Sequence, residues 1–452
     1  MDIKQFCDTD RQAGRLMLWR VGVPDPVSWR PDPRRPSHVQ EDHLRFAHDG
    51  RPGWLGTAFD LPGEFNSAAL TKSILGWVDR HEALRSRLVK DGSTIHRATI
   101  GPGAARLEKT VVGDYADGDE IVQLLEELFD AETRPVSWPA YVFVTITRPT
   151  STSLLLACDH SVSDAYSIAL VPYEIRELYT AAILGVAPEL APVSSYLDHA
   201  ESERERLGDL TDDHPAIAHW RELIAANGGQ LPDFPLPLGA PEGTLQRTGR
   251  MWLLDAAQAA EFDHGCRSQG GNATTGLFAC LALAGKTLAD QQEFLAVAPF
   301  HTRYDLPSMR SVGWYVGMGP VRFRLAGTLP ELLRAARLEL KRAKKTAQVP
   351  FPKAMELLGT ALRDRFMVSY MDNRTVPGSD LWPQWRTRFM ISRSSDACET
   401  YLWISRWQDG IYVHFRHPGT ALARTAMDHY LAEVAAHAHF ISRARPLPQV
   451  SN

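Results

Sequence analysis

In the stretch FNSAALTKSILGWVDRHEALRSRL, apolar residues return near helical spacing: Leu70, Ile74, Trp77, Val78 and Leu88 form one stripe, which His81 shares. Asn66 stands just ahead of the stripe and can accept hydrogen bonds from the unpaired N–H groups of a first turn, so the pattern predicts a helix over this whole stretch. Two strand patterns follow, AYVFVTITR from Ala140 and TSLLLACDH from Thr152, with the turn-forming PTS between them suggesting a hairpin. The second run is apolar at consecutive positions, as in a strand buried on both faces. Helical spacing then resumes in DAYSIALVPYEIRELYTAAILG. Pro172 inside it, lacking an N–H, should kink the helix or begin a new turn.

Elsewhere the pattern is coarser. PDPVSWRPDPRRPS, Pro24 to Ser37, holds too many prolines for a helix or central strand and predicts an extended surface stretch. SHVQEDHLRFA reads as a helix with Ser37 as its cap and Glu41 nearby. Charged helical sequence from Ser194 to Ala225 leads into the Pro- and Gly-rich loop NGGQLPDFPLPLGAPEGTLQRTG. Beyond it TTGLFACLALAGKTLA, ELLRAARLELKRAKK and AMDHYLAEVAAHAHFI predict helices, and EFLAVAPF, VGWYVGMGPVRFRL, FMVSYM, TYLWISRW and GIYVHFR predict strands. Helices and strands are interspersed in both halves, so the class is α/β or α+β. With 452 residues, the chain fits two domains of roughly 200 residues each: residues 1–190, a connection over 191–250, and 251–452.

Composition removes several function classes. A formal net charge of -5 draws the molecule to neither nucleic acid nor an anionic membrane surface. No stretch nears the ~20 apolar residues needed to span a bilayer, and MDIKQFCDTDRQAG lacks a basic segment followed by an apolar one, so a cytoplasmic protein is expected. Cys7, Cys158, Cys266, Cys280 and Cys398 are dispersed without a C-x-x-C pair, which predicts reduced, mostly buried thiols.

The chemistry-bearing candidate is ACDHSVSDAYS, Ala157 to Ser167, where the buried strand hands over to the helix. A histidine at a strand end can be held rigidly with its ring in a cleft, as a general base requires; an aspartate one turn later can fix the loop by pairing with a cation. The same spacing equally describes a capped helix beside a satisfied loop histidine. Cys158 and His160 lie at i and i+2, so a thiol nucleophile is conceivable, although the cysteine sits in the most apolar run. A metal would find only His160 and Asp164 here. No G-x-S-x-G elbow is present, and GPGAAR at Gly101 lacks the third glycine of a dinucleotide fingerprint. KRAKK, Lys341 to Lys345, could receive an acidic carrier protein or a cofactor phosphate but better fits a solvated helix C-terminus, and the pair Trp382 and Trp385 could stack on a sugar or an aromatic acceptor but better fits core packing.

These residues resemble a family. ACDHSVSDAYS is similar to the H-H-x-x-x-D-G signature of the condensation-domain and carrier- or coenzyme-A-dependent acyltransferase superfamily. VDRHEALRSRL resembles its R-H-x-x-L-R block, SYLDHA at Ser195 its tyrosine-aspartate block, and VGWYVGMGPVR at Val312 its late I-G-x-F-V-N-x-x-x-x-R block. WLGTAFDLPGEFN, LPDFPLPLG, GLFACLALA, GWYVGM and SYMDNR resemble, in that order, the mycobacterial polyketide-associated acyltransferases that esterify trehalose, from about Ser37 to the last helix. A D-F-G-W-G block is missing, which favours the condensation and trehalose-acylating branches.

The resemblance implies two chloramphenicol-acetyltransferase-like subdomains in a V-shaped pseudo-dimer with an active-site tunnel between them. It makes His160 the general base and Asp164 the structural aspartate, paired with Arg303 in PFHTRYD or, as substitute, Arg322. Asp159 replaces the signature's first histidine, a supporting position, and Ala165 its glycine. Ser163, Ser167, Arg322 and Tyr370 are candidates to line the tunnel. The implied donor is an acyl-coenzyme A or an acyl carrier protein bearing a phosphopantetheine thioester, with no metal and no permanently bound cofactor. The acceptor is a hydroxyl of a small polar molecule, giving an ester, and the protein is expected to be a monomer. The alternatives are a free-standing condensation enzyme that makes an amide from an amine, and a silent module that only recruits a carrier protein.

Overall fold

The structure, a computed structural model, describes residues 3–5, 13–25, 28–46, 53–92, 94–239, 244–325, 327–393 and 399–444. In chain order its strands begin with β1 (Ile3–Gln5), β2 (Gly14–Gly22), β3 (Arg30–Asp32), β4 (Trp54–Asp60), β5 (Ser86–Asp91), β6 (Thr94–Thr99), β7 (Arg106–Tyr115), β8 (Tyr141–Thr147) and β9 (Thr152–Asp159). They continue with β10 (Gln246–Asp255), β11 (Glu293–His301), β12 (Val316–Arg324), β13 (Phe366–Asp372), β14 (Arg388–Ile391), β15 (Thr400–Trp407) and β16 (Gly410–Pro418). The helices are α1 (His38–Phe46), α2 (Ser67–Arg80), α3 (Gly118–Glu132), α4 (Ala165–Leu184), α5 (Tyr196–Arg206) and α6 (Pro215–Ala226), then α7 (Ala256–Ser268), α8 (Ala273–Ala289), α9 (Leu329–Thr346), α10 (Phe351–Leu357) and α11 (Ala421–Ser442).

The chain forms two compact units, neither continuous in sequence. The first takes the chain up to Asp209 together with Arg303–Tyr315 and Val376–Arg393; the second takes Leu210–Thr302, Val316–Thr375 and the chain beyond Arg393. The stretch 191–250 is therefore shared, with α5 in the first unit and α6 in the second.

A seven-stranded sheet in the order β1-β14-β4-β9-β8-β2-β7 organises the first unit. β9 lies inside it, antiparallel to β4 on one side and to β8 on the other, and every residue of β9 except Ser153 is buried. That central position accounts for its unbroken apolar run. The hairpin closes with Thr147 opposite Thr152. Leu18, Val142 and Leu155 share a core with Leu125 and Phe129 of α3.

α2 is capped by Asn66, whose side chain accepts from the Ala68 and Ala69 N–H groups, but it ends at Arg80. His81 closes it, a 3-10 turn spans Glu82–Arg85, and Leu88 belongs to β5. The apolar stripe ran on because a buried strand residue happened to fall in phase with the helix. α4 runs unbroken through Pro172. A proline inside a helix costs about 3 kcal/mol, whereas burial of Ile168, Val171, Ile175 and Tyr179 along the same helix contributes about 1.5–3 kcal/mol each.

The second unit carries a six-stranded sheet, β10-β16-β15-β13-β11-β12, and a core that draws on α7, α8, α9 and α11. β12 starts at Val316, so Val312–Tyr315 is no strand but belongs to the first unit. β10 includes part of the stretch read as a loop. Within KRAKK, Arg342 pairs with Glu222 of α6. Trp382 and Trp385 are buried, the first edge-on to Phe389 and the second beneath the Arg176 guanidinium. Cys158, Cys266 and Cys280 are buried free thiols, and burial pushes each upward in pKa; Cys7 and Cys398 lie outside the described residues, as do residues 26 and 27 of the proline-rich stretch. No helix among the described residues is long and apolar enough to cross a membrane.

Candidate active site

The hand-over from β9 to α4 is held almost atom by atom. The His160 N–H donates to the Gly53 carbonyl at 3.0 Å, and His160–Val162 form one 3-10 turn. Asp159 caps that turn by accepting from the Ser161 N–H at 2.8 Å, and Ser163 Oγ donates back to the Asp159 carbonyl at 3.1 Å. Asp164 caps α4, accepting from the Ser167 N–H at 2.7 Å. Both aspartates therefore satisfy orphan helix donors, Asp164 as the cap reading required, and each does more.

Arg303 meets Asp164 with a two-pronged ion pair, Nη1 to Oδ2 at 2.7 Å and Nη2 to Oδ1 at 3.0 Å, between side chains that are 0% and 1% exposed. The guanidinium also donates to Ser167 Oγ and to the Ser308 and Ser311 carbonyls, and it lies over the rings of Tyr315 and Tyr166. Asp164 Oδ2 accepts a further bond from the Tyr315 N–H at 3.0 Å. Burial by itself would raise the Asp164 pKa; the Arg303 charge and these hydrogen bonds outweigh it and hold the carboxyl below its ordinary value. A buried pair whose three guanidinium nitrogens all have hydrogen-bond partners fixes geometry more than it adds stability.

The same bonds tie the segment Arg303–Tyr315 to the head of α4. Ser167 Oγ donates to the Gly313 carbonyl at 2.9 Å and accepts from the Gly313 N–H at 3.1 Å. A second buried network grips the segment one residue earlier: the Val312 N–H donates to His81 Nδ1, while His81 Nε2 lies 2.6 Å from Glu174 Oε2. Glu174 also accepts from Trp77 Nε1 and Arg80 Nε. Burial opposes its charge, but the neighbouring His81 and Arg80 lower its pKa. Arg80 and His81 of the R-H-x-x-L-R block thus act through α4 on the segment that follows β11.

This segment delivers Trp314 to His160. The two rings stack with centroids 4.0 Å apart and an interplanar angle of 30°. His160 keeps part of its surface accessible, while its Nδ1 is enclosed and bonded to no other residue. Its pKa is lowered, first by burial and then by the charge of His43, with Asp164 and Asp159 pulling the other way. The ring is therefore a neutral base at neutral pH. His43, from α1, sits with Nε2 at 3.1 and 3.2 Å from the two Asp159 oxygens, and edge-on to Trp314 at 5.4 Å. Burial disfavours its charged form, yet the Asp159 carboxylate overcomes this and raises its pKa.

Of the residues singled out in the sequence, Asp159, His160, Asp164 and Arg303 meet in the first unit. Ser163 and Ser167 are fully enclosed, their hydroxyls engaged as described, so they line no open surface. Arg322 is not the partner of Asp164: it belongs to β12 of the second unit and pairs with Glu293 at 2.9 Å. Tyr370, on β13, packs against the second unit's core. Cys158 is sealed in the sheet with its thiol held protonated, which removes the nucleophile reading. His43 and Trp314 were not foreseen. Their only sequence signals were the polar helix SHVQEDHLRFA and an aromatic pair in GWYVGM.

The condensation-domain family model matches residues 54–365, and these include β9, the His160 turn and the whole Arg303–Tyr315 segment. The chain belongs to the condensation-domain family. It is 26% identical over 448 residues to "Acyltransferase PapA3" of Mycobacterium tuberculosis, covering 93% of this chain and 94% of that protein. It is 27% identical over 452 residues to "Trehalose-2-sulfate acyltransferase PapA2" of the same species, covering 94% of each. Among solved structures, "PapA2 acyl transferase" superposes with a TM-score of 0.88 at 24% identity, over 98% of this chain and 100% of that one. The first condensation domain of the calcium-dependent antibiotic synthetase, in complex with a substrate analogue, gives 0.70 at 14% identity, over 92% and 98%. At the level of reaction class this family member is an enzyme, an acyltransferase like its named relatives.

Proposed function

We propose that the protein moves an acyl group from a thioester of coenzyme A or of a carrier protein's phosphopantetheine to a hydroxyl of a small polar acceptor of the sugar type, forming an ester. The observation that carries this reading is the state of His160: a neutral imidazole on a rigid strand end, clamped by Trp314, beside a turn locked by Asp164 and Arg303. With Nδ1 enclosed, Nε2 is the nitrogen that meets substrate. It takes the proton of the acceptor O–H as that oxygen attacks the thioester carbon. The tetrahedral intermediate collapses with loss of the C–S bond, and the imidazolium returns the proton to the departing thiolate. Ester and free thiol result, with no acyl-enzyme and no net proton change; holding both substrates at one histidine supplies much of the acceleration. The sugar class of acceptor is supported by the trehalose-2-sulfate named for a relative matched along nearly the whole chain.

The test is an incubation of the full chain with acyl-coenzyme A or acyl-loaded carrier protein and a panel of sugars, sugar sulfates and amines, followed by mass spectrometry of protein and small molecules. Acylated sugar with stoichiometric thiol and no mass added to the enzyme is the expected result. Amide products alone would replace the ester reading, and carrier binding without transfer would overturn catalysis.

A further inference from the structure

Four side chains close a ring at the end of β9. Asp159 is the residue before His160; His43 touches both Asp159 carboxylate oxygens; Trp314 stands edge-on to His43 at 84° and stacked on His160 at 30°. The ring is built in from three separate parts of the first unit: α1, the end of β9 and the Arg303–Tyr315 segment. Its corner is tight. A Cβ on Gly53 would come within 2.9 Å of His43 Cε1, and Gly53 is also the residue whose carbonyl holds the His160 N–H.

Asp159 is 0% exposed, and a carboxylate so placed needs a partner. Here an imidazole reaches that carboxylate from α1. Edge-to-face contact between aromatic rings is a favourable and directional arrangement. The charge of His43 thus neutralises Asp159, and its ring backs the indole that sets the plane of the His160 imidazole.

We propose that His43 is a positioning residue of the acyl-transfer site, holding Trp314 against His160 and pairing with Asp159, without itself touching substrate. This rests on the reading of His160 as the base. The charged groups acting on His160 are His43 from α1, Asp159 at the end of β9, and Asp164 at the head of α4, which is paired with Arg303; Asp42, beside His43 on α1, acts on His43. Removing the His43 cation leaves Asp159 unopposed, so His160 should hold its proton to higher pH.

The experiment uses the full chain with isotope-labelled histidine, following ring resonances against pH by NMR in wild type, His43→Gln and His43→Phe, alongside steady-state kinetics. Glutamine keeps an N–H for Asp159 without the charge; phenylalanine keeps a ring without either. In wild type, His43 should stay protonated to a higher pH than His160. In both variants the His160 titration and the acid limb of kcat/KM should move upward by about half a pH unit or more, and kcat should fall about tenfold or more with KM for the thioester within about twofold. An unmoved His160 titration with unchanged kcat overturns the proposal, as does the reverse order of titration in wild type, which needs no variant to fold. If the base reading itself is wrong, His160→Ala retains turnover while the His43-dependent titration shift persists, so the two failures separate.

Discussion

The Arg303 guanidinium reaches the Asp164 carboxylate from 139 residues further along the chain and binds it through both oxygens, at 2.7 and 3.0 Å. The pair joins the head of α4 to the segment that carries Trp314, so it fixes the distance between His160 and the ring that stacks on it. Removing one partner of a fully buried pair leaves an unpaired charge and costs about 3–5 kcal/mol. Asp164→Ala and Arg303→Met should each lower stability by that order in denaturant melts, and the double variant should lose less than their sum. Additive losses would mean that the two side chains do not act as a unit.

The same pair has a pH signature. The Asp164 pKa is lower in the folded protein than in the unfolded chain, so its contribution is complete above the unfolded carboxyl value of about 3.9 and disappears as pH falls through the folded value. Wild type should therefore lose stability steeply in acid. The loss below about pH 4 should be blunted in Asp164→Asn, as read by thermal melts across pH.

In the proposed mechanism the group that controls activity is His160, whose depressed pKa keeps the neutral imidazole present to a lower pH than an ordinary histidine. The acid limb of kcat/KM should have its midpoint below about 6.5. A midpoint above that value would mean that the charge balance among His43, Asp159 and Asp164 favours the imidazolium.

Gly313 tests the support of Trp314 without touching any charged group. A Cβ there would lie 2.4 Å from Tyr196 Cγ, inside a ring that itself packs on Tyr315. Gly313→Ala should destabilise the protein by about 1–3 kcal/mol and lower kcat more than it raises KM, read by melts and steady-state kinetics. Activity equal to wild type would show that the indole's position does not matter.

Glu174 supports the same segment from the other side. Glu174→Gln keeps shape but removes the carboxylate that Arg80, His81 and Trp77 share. It should cost stability by about 1–3 kcal/mol in denaturant melts and speed amide exchange at Val312, whose N–H is bonded to His81.

Where one element had its own contrast, the sequence was legible. The apolar β9 run, the hairpin before it, the Asn66 cap and the H-x-x-x-D turn all follow from local pattern, because a central strand and a capped helix each impose a local rule. The edge strands β7 and β10 carry little such contrast, since among the described residues each ends its sheet and most of its side chains are not buried. α3 does bear a stripe, Ile121, Leu125 and Phe129, whose meaning depends on the sheet it covers. Leu88 was misread because helix and strand can agree in phase over a few residues. At the site, His160, Asp164 and Arg303 were reached through resemblance to a family. His43 was not, because nothing local ties α1 to a residue 116 positions away; only the folded chain brings His43 to Asp159.

The most direct test of the account is a single-turnover measurement with His160→Ala and wild type at equal concentration, using a thioester donor and an acceptor that wild type acylates. Thiol release and ester formation should both fall by about 10²–10⁴-fold, with donor binding retained within a few-fold. Ester formation at the wild-type rate in His160→Ala would contradict the central claim that this imidazole moves the proton.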